Sequence, residues 1–195
     1  MASDAPLILA FDTSAAHCAA ALLRGDRIVA LRAEEMGRGQ AERLMPLLSE
    51  TLAEGGATWA DLTRIAVGIG PGNFTGIRIS VSAARGLALA LGVPAVGVSG
   101  FDVAGFGRDA SALPCIPGPR GQSYIRPPGG GPRLADDDEI AALGLDRAGL
   151  PDAAGLVDTI ARIAASDDRG APPAPLYVKP ADAAPSRDAP PVILE

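Results

Sequence analysis

Aromatic residues make up only 4% of this 195-residue chain, which also holds a single histidine and two cysteines. Each scarcity excludes something. A core with few aromatics must be built mostly from Ala, Leu, Ile and Val, and a 48% apolar content supplies enough for one large domain or two small ones. Cys18 and Cys115 stand far apart without a metal-type or redox-type spacing, and read as two reduced, buried thiols. A zinc site or a Ser-His-Asp triad would have to run through His17, and the sequence places nothing beside it to orient the ring. No stretch approaches the ~20 uninterrupted apolar residues of a membrane span. "MASDAPLILAFDTS" has no basic leader and its apolar segment ends at Asp12, so it reads as a buried first strand, and a cytoplasmic location is expected.

Positive charge is also in short supply, with 17 Lys and Arg against 23 Asp and Glu for a net charge of −6. A protein that grips nucleic acid alone needs a basic face to displace phosphate counterions. Here Arg24, Arg27, Arg32, Arg38 and Arg43 interleave with Asp26, Glu34, Glu35 and Glu42, the pattern of a mixed solvated surface.

What is present is a series of short apolar runs whose period changes. "PLILAFDTS" is a strand ending in an acid and two hydroxyls. In "HCAAALLRGDRIVALRAE" the Gly25-Asp26 pair separates two apolar runs, which predicts an antiparallel hairpin and a three-strand meander. "GQAERLMPLLSETLAEGG" turns helical, with Ala41, Leu44, Met45, Leu48 and Leu52 on one face and Leu47 off that stripe, a hint of a second contact surface. "TWADL" predicts a short helix capped by Thr58, and "RIAVGIG" a buried strand. From Thr75 the pattern is helical again, with Ile77, Val81, Ala84, Ala88 and Leu91 on one face. Gly76, Ser80, Ser82, Ala83 and Gly86 are small, which suits either a close neighbouring helix or a close sheet. "VPAVGVSG" is the next strand, and "FDVAGFGRDA" a short helix or turn. The composition then shifts, which predicts a domain boundary between residues 101 and 112. Residues 1–108 would form an N-terminal domain and 109–195 a short second one with two or three short strands, two helices ("DDDEIAALG", "PDAAGLVDTIARIAAS") and an extended, unpacked proline-rich tail.

Two stretches invite a phosphate. "GPGNFTG", between a strand and a helix, offers free amides and the positive end of a dipole. It is neither the Walker pattern nor the dinucleotide fingerprint, and a tight structural turn explains the same glycines. "FDTS" ends a strand as metal-linked phosphate sites do, and as ordinary turn residues do. The candidate phosphate residues are Asp12, Thr13, Ser14, Gly70, Gly72 and Thr75.

Taken together, "ILAFDTS", "ERLMPLLSETL", "GIGPGNFTGIRISVSAARGLALALGVPAVGVS" and "PLYVKPADAAPSRD" closely resemble the bacterial TsaB (YeaZ-type) family, over roughly residues 7–104 plus the tail. The family belongs to the machinery that makes N6-threonylcarbamoyladenosine in tRNA. The resemblance implies an α/β fold of the actin-like, heat-shock-chaperone-like ATPase (ASKHA) class with a degenerate nucleotide site and a small second domain. It also implies a non-catalytic assembly subunit, without metal or cofactor, that pairs with the catalytic paralogue TsaD. A TsaE-type ATPase would join the complex, tRNA would be met only indirectly, and the free subunit could self-pair. In the paralogue a short helix after the GVP-type strand supplies two metal-binding histidines; "VSGFDVAG" here has none. The family usually has a histidine where this chain has Gln40, and "GPRGQSYI" only loosely resembles the family's second-domain strand. The partner contact implied is on the two long helices, at Leu44, Leu47, Leu48, Thr75, Arg78, Ile79, Ser82, Ala83 and Gly86. An ATPase or small-molecule kinase of the same superfamily is the alternative. It would need a second phosphate loop, for which Gly129-Gly130-Gly131 is the one candidate.

Overall fold

A computed structural model of the chain describes residues 5–166 and 172–178. Strands β1 (Leu7–Asp12), β2 (His17–Arg24) and β3 (Arg27–Glu35) form the expected meander, with the hairpin turn at Gly25-Asp26. Helix α1 (Gln40–Glu54), a capped 3-10 turn at Trp59–Asp61, β4 (Arg64–Gly68), α2 (Phe74–Leu91), β5 (Ala95–Val98) and α3 (Gly100–Gly105) follow. The five strands make one mixed sheet in the order β3-β2-β1-β4-β5, antiparallel on the β2 side of β1 and parallel on the β4 side. Helix-linked strands must run parallel and hairpin-linked ones antiparallel, so the period changes in the sequence already dictated the mixture.

The sheet is buried on both faces. On one, Leu7, Leu9, Phe11, Cys18, Ala20 and Leu22 pack with Leu44, Leu47, Leu48 and Leu52 of α1 and Ala84 of α2. The opposite face brings Ile8, Ala10, Leu23, Ala66, Val96 and Val98 against Leu156, Ile160, Ala161 and Ala164. These last four belong to α5 (Ala153–Ser166). The expected division at residue 108 is thereby corrected: α5 lies in the second half of the sequence but seals the first sheet, where Ala19 and Ala21 receive Val157. The run of alanines in β2 is what lets helices approach from both sides.

The intervening segment holds four short strands, one or two more than the sequence suggests: β6 (Leu113–Pro117), β7 (Ser123–Ile125), β8 (Arg133–Ala135) and β9 (Arg147–Ala148), ordered β8-β7-β6-β9. Helix α4 (Asp137–Ala142) closes their small core through Ile140, against Leu113, Ile125 and Ala135. Prolines and glycines hid these strands because each is only two to five residues long. Residues 172–178, expected to be unpacked, are fastened to the fold: Pro173 is buried and the Leu176 amide donates to the Ile69 carbonyl at 2.8 Å. The tail beyond residue 178 lies outside the described residues. Among the described residues one helix, α2, is long and apolar enough by composition to cross a membrane, but its Ile77, Val81 and Ala84 are buried within this fold.

On the outer edge Arg43 of α1 forks onto Glu34 of β3 at 2.6 and 2.8 Å and onto Glu50 at 2.7 Å, tying helix to strand. Its hydrogen bonds hold both carboxyls below their usual value of 4.5. A depressed carboxylate pKa contributes stability that is present above the unfolded value and fades as pH falls through the folded one. Arg43→Met should therefore lower the Tm at pH 7, and the gap from the native chain should close as the pH drops below 4.5; a gap constant from pH 7 to 3 would contradict this assignment. A chain truncated after residue 108 should show no cooperative thermal transition, because it lacks α5. In the full chain Ile160→Ala should cost about 2–5 kcal/mol by denaturant titration.

Candidate functional site

The candidate phosphate residues gather at the junction where β1 ends and α2 begins. Strand β4 runs parallel beside β1, so the loop after β4 returns to the tip of β1. This loop contains a cis Gly70–Pro71 bond, and Asn73 caps α2 by accepting from the Gly76 amide at 2.8 Å. The Asn73 amide donates to the Ser14 carbonyl at 2.6 Å, and the Thr13 hydroxyl donates to the Gly76 carbonyl at 2.7 Å. A Cβ at Gly76 would overlap the Thr13 carbonyl oxygen, and one at Gly72 the Ser14 carbonyl oxygen. Those two glycines are therefore required by close backbone approach. The structure does bring Asp12, Thr13, Ser14, Gly70 and Gly72 into one place, with Thr75 exposed on the first turn of α2 beside them. Beside Gly76 and Gly72, however, stand the Thr13 and Ser14 carbonyl oxygens, which repel an anion.

Asp12 holds the floor. It is buried, and one of its oxygens, Oδ1, accepts from the Ser14 amide at 2.7 Å and the Ser14 hydroxyl at 2.8 Å, with His17 Nε2 also 2.7 Å away. The sequence reading left His17 without an orienting partner; the structure supplies Asp12. The signal was in the register. Asp12 lies opposite Ala19 in the antiparallel pair, so His17, two residues before Ala19, falls on the same face as Ala19. Ser14, His17 and Asp12 nonetheless make no hydrolytic relay. The Ser14 hydroxyl donates to the Asp12 carboxylate and not to the imidazole, so the three residues do not stand in the Ser-His-Asp order of a hydrolytic triad. Nor does Cys18 offer a nucleophile: burial raises its thiol pKa to about 11, leaving it protonated near neutral pH.

A cleft of about 710 Å³ opens between this junction and the small sheet, lined by Ser14, His17, Gln40, Asn73, Tyr124 and Leu156 among others. Among the described residues, no Lys, Arg, Asp or Glu lines it. Gly129–Gly131 lie between the antiparallel strands β7 and β8 and lead into no helix, which is not how a second phosphate loop is built. Helix α3 carries Phe101, Val103 and Ala104 buried; its Asp102 is spent on capping Ser99 and pairing with Arg126 at 2.7 Å. Among the described residues no three His, Cys, Asp or Glu side chains converge.

The expected contact residues divide. Leu44, Leu47 and Leu48 are at most 1% exposed and belong to the core of the chain itself, so the reading of Leu47 as a second surface is corrected, along with the stripe that included Ala41 and Met45. The true inner face of α1 is Leu44, Leu47, Leu48, Thr51 and Leu52, a stripe rotated from the expected one by Leu47 and Thr51. On α2, Gly76 and Ser80 face inward; Thr75, Arg78, Ser82 and Gly86 are exposed, and Ile79 and Ala83 half-buried. Leu89, which sequence reasoning passed over, is 86% exposed.

Fold and site together define an α/β protein of the actin-like, heat-shock-chaperone-like ATPase class, whose strand–loop–helix junction is filled by its own backbone. Residues 33–124 match the family described as TsaD, tRNA N6-adenosine threonylcarbamoyltransferase. The chain is 39% identical over 92 residues to the tRNA threonylcarbamoyladenosine biosynthesis protein TsaB of Escherichia coli K12, a match that covers 47% of this chain and 39% of that protein's length. It is 32% identical to an uncharacterised protein of Mycobacterium tuberculosis H37Rv across 91% of this chain and 94% of that one. The crystal structure of YeaZ from Pseudomonas aeruginosa superposes with a TM-score of 0.65 at 25% identity, covering 88% of this chain and 99% of that one. The chain belongs to the TsaB (YeaZ-type) family.

The two kinds of small residue on α2 can be told apart by experiment. Gly76→Ala should destabilise the fold by about 1–3 kcal/mol, as an overpacked position does. Gly86→Ala, whose added Cβ meets nothing within 4 Å, should instead stabilise it by about 0.5–1 kcal/mol. Equal effects of the two substitutions in denaturant titrations would contradict the assignment of faces.

Proposed function

We propose that the chain is a non-catalytic assembly subunit of the machinery that makes threonylcarbamoyladenosine in tRNA, and that it pairs in the cytoplasm with a catalytic TsaD-type paralogue. The observation that carries the non-catalytic part is a cleft in which, among the described residues, no Lys or Arg lines the wall. A nucleoside triphosphate brings several negative charges, and burying them unpaired is strongly unfavourable. The relatives named for threonylcarbamoyladenosine biosynthesis supply the process, and the kinship of residues 33–124 with the TsaD family supports a paralogous partner of the same fold. The pairing surface is the outward face of α2, through Thr75, Arg78, Ser82 and Gly86, with Ile79 and Ala83 at its edge. In this reading a TsaE-type ATPase joins the assembled pair, tRNA is held by the partner, and a free subunit covers the face by self-pairing.

Two titrations test the proposal. The isolated chain should show no magnesium-dependent ATP binding by calorimetry, whereas tight binding would favour the kinase or ATPase alternative. The catalytic paralogue from the same organism should bind the native chain, and Ser82→Arg should weaken that binding about 100-fold while leaving the Tm in place, since Ser82 is exposed. A stable Ser82→Arg chain that binds the paralogue normally would remove α2 from the interface.

A further inference from the structure

Arg78, Ser82, Arg85 and Leu89 follow one another in steps of four, three and four, so they form one exposed stripe along α2. Helix α2 contains no acidic residue, and no ion pair among the described residues engages Arg78 or Arg85. In a chain of net charge −6 this face is locally basic. Arg78 is also held in place. Its guanidinium carbon sits 3.6 Å from the centre of the Phe74 ring and 5.9 Å from that of Tyr177, and its Nε donates to the Tyr177 hydroxyl at 2.9 Å. The two rings are themselves 4.9 Å apart. Tyr177 comes from the far end of the sequence, and the segment that brings it is fastened by the Leu176–Ile69 hydrogen bond and by Pro173, which packs against Gly97.

The clamp uses the Nε edge and one face of the guanidinium. No hydrogen bond among the described residues takes up its two terminal NH2 groups. A planar cation fixed by stacking, with its fork unoccupied, is arranged to receive a carboxylate in the two-point manner that arginine allows and lysine does not. An arginine left free on its stem would lose that order on binding; the aromatic clamp removes the loss beforehand.

We infer that the α2 face receives a partner helix presenting an Asp or Glu carboxylate opposite Arg78 and apolar side chains opposite Leu89, with Tyr177 as the positioning residue for Arg78. The inference rests on the assembly role proposed above and adds the chemistry of the partner's contact. A second copy of this chain is the poorer occupant, because two α2 helices facing each other bring arginines and no carboxylate of their own.

The test uses the full chain and the purified TsaD-type paralogue of the same organism, with affinities measured at about 50 mM and about 500 mM salt. Arg78→Gln should weaken binding about tenfold at low salt, and the difference should shrink at high salt. Arg78→Lys should recover little of the loss, since an ammonium neither stacks nor forks. Tyr177→Phe, which keeps the ring but removes the hydroxyl that bonds Nε, should give an intermediate loss. Arg108→Gln controls for the same change of net charge in an exposed turn and should have no effect. Binding by Arg78→Gln within twofold of the native chain overturns the inference, as does a loss of the same size at both salt concentrations or an equal loss from Arg108→Gln. Native-like binding by Tyr177→Phe overturns the positioning role. If the native chain forms no complex with the paralogue, the assembly role itself fails and this inference with it.

Discussion

Every residue of β1, from Leu7 to Asp12, is buried, and the rest of the molecule is arranged around that requirement. A strand with two covered faces needs neighbours on both edges and helices on both sides, and the chain supplies them from distant places. The β2 hairpin comes first, then α1, β4 and α2, and the covering of the second face waits for α5, which begins more than 140 positions after β1 ends. Burying side chains such as Leu156 and Ile160 stabilises the fold by about 1.5–3 kcal/mol each, a large share of a net stability of about 5–15 kcal/mol. The small β6–β9 sheet is thus an insertion carried between two parts of one core, and the mixed composition after residue 110 reflects the insertion rather than a separate second half.

Central placement of β1 also decides the chemistry at its tip. Its final residue is an aspartate whose backbone pairs with Ala19, and the two residues that follow are pressed against the start of α2. The positive end of a helix is equivalent to roughly half an elementary charge. Here that charge is answered internally: Asn73 takes the Gly76 amide, and the Thr13 and Ser14 carbonyls stand over the glycines where an anion would approach. Asp12 is engaged as well, with the Ser14 amide and hydroxyl donating to one oxygen and His17 Nε2 within 2.7 Å of it. The Asn73 and Gly76 amides and the Thr13 and Ser14 hydroxyls of this junction thus find their partners within it.

Much of this was legible in the sequence, and what was not has physical reasons. The meander, the two long helices and the parallel strands follow from switches between periods of two and 3.6, which depend only on which face is apolar. The order of the first sheet was not legible: a helical connection from β3 does not say that β4 joins the sheet at β1. Leu47 was misread because a helix lying on a sheet buries a broader stripe than three- and four-residue steps from Leu44 describe, and Thr51 joins that stripe by returning its hydroxyl to the Leu47 carbonyl at 2.8 Å. The four strands of the small sheet carry no usable periodicity because each is too short for an alternation to repeat. The pairing of Asp12 with His17 required the register of a hairpin, and the clamp around Arg78 joins residues 99 positions apart, which no local pattern encodes.

Helix α2 is where the two demands on the molecule meet. Its inward side must be small at Gly76, where β1 arrives, and apolar at Ile77, Val81 and Ala84, where it covers the sheet. Its outward side bears none of those constraints, yet it is neither charged throughout nor acidic like the protein as a whole. Small residues at Ser82 and Gly86 allow another backbone to come close, a bare Leu89 offers apolar area, and Arg78 is held by two rings instead of waving in solvent. An exposed surface that is small, locally apolar and fixed in its one oriented charge gains little for an isolated monomer, since a mobile charged side chain would solvate it better. The same features would lower the entropy lost if a second helix docked, so the inward requirements of α2 explain the fold and its outward ones fit the assembly role proposed for it.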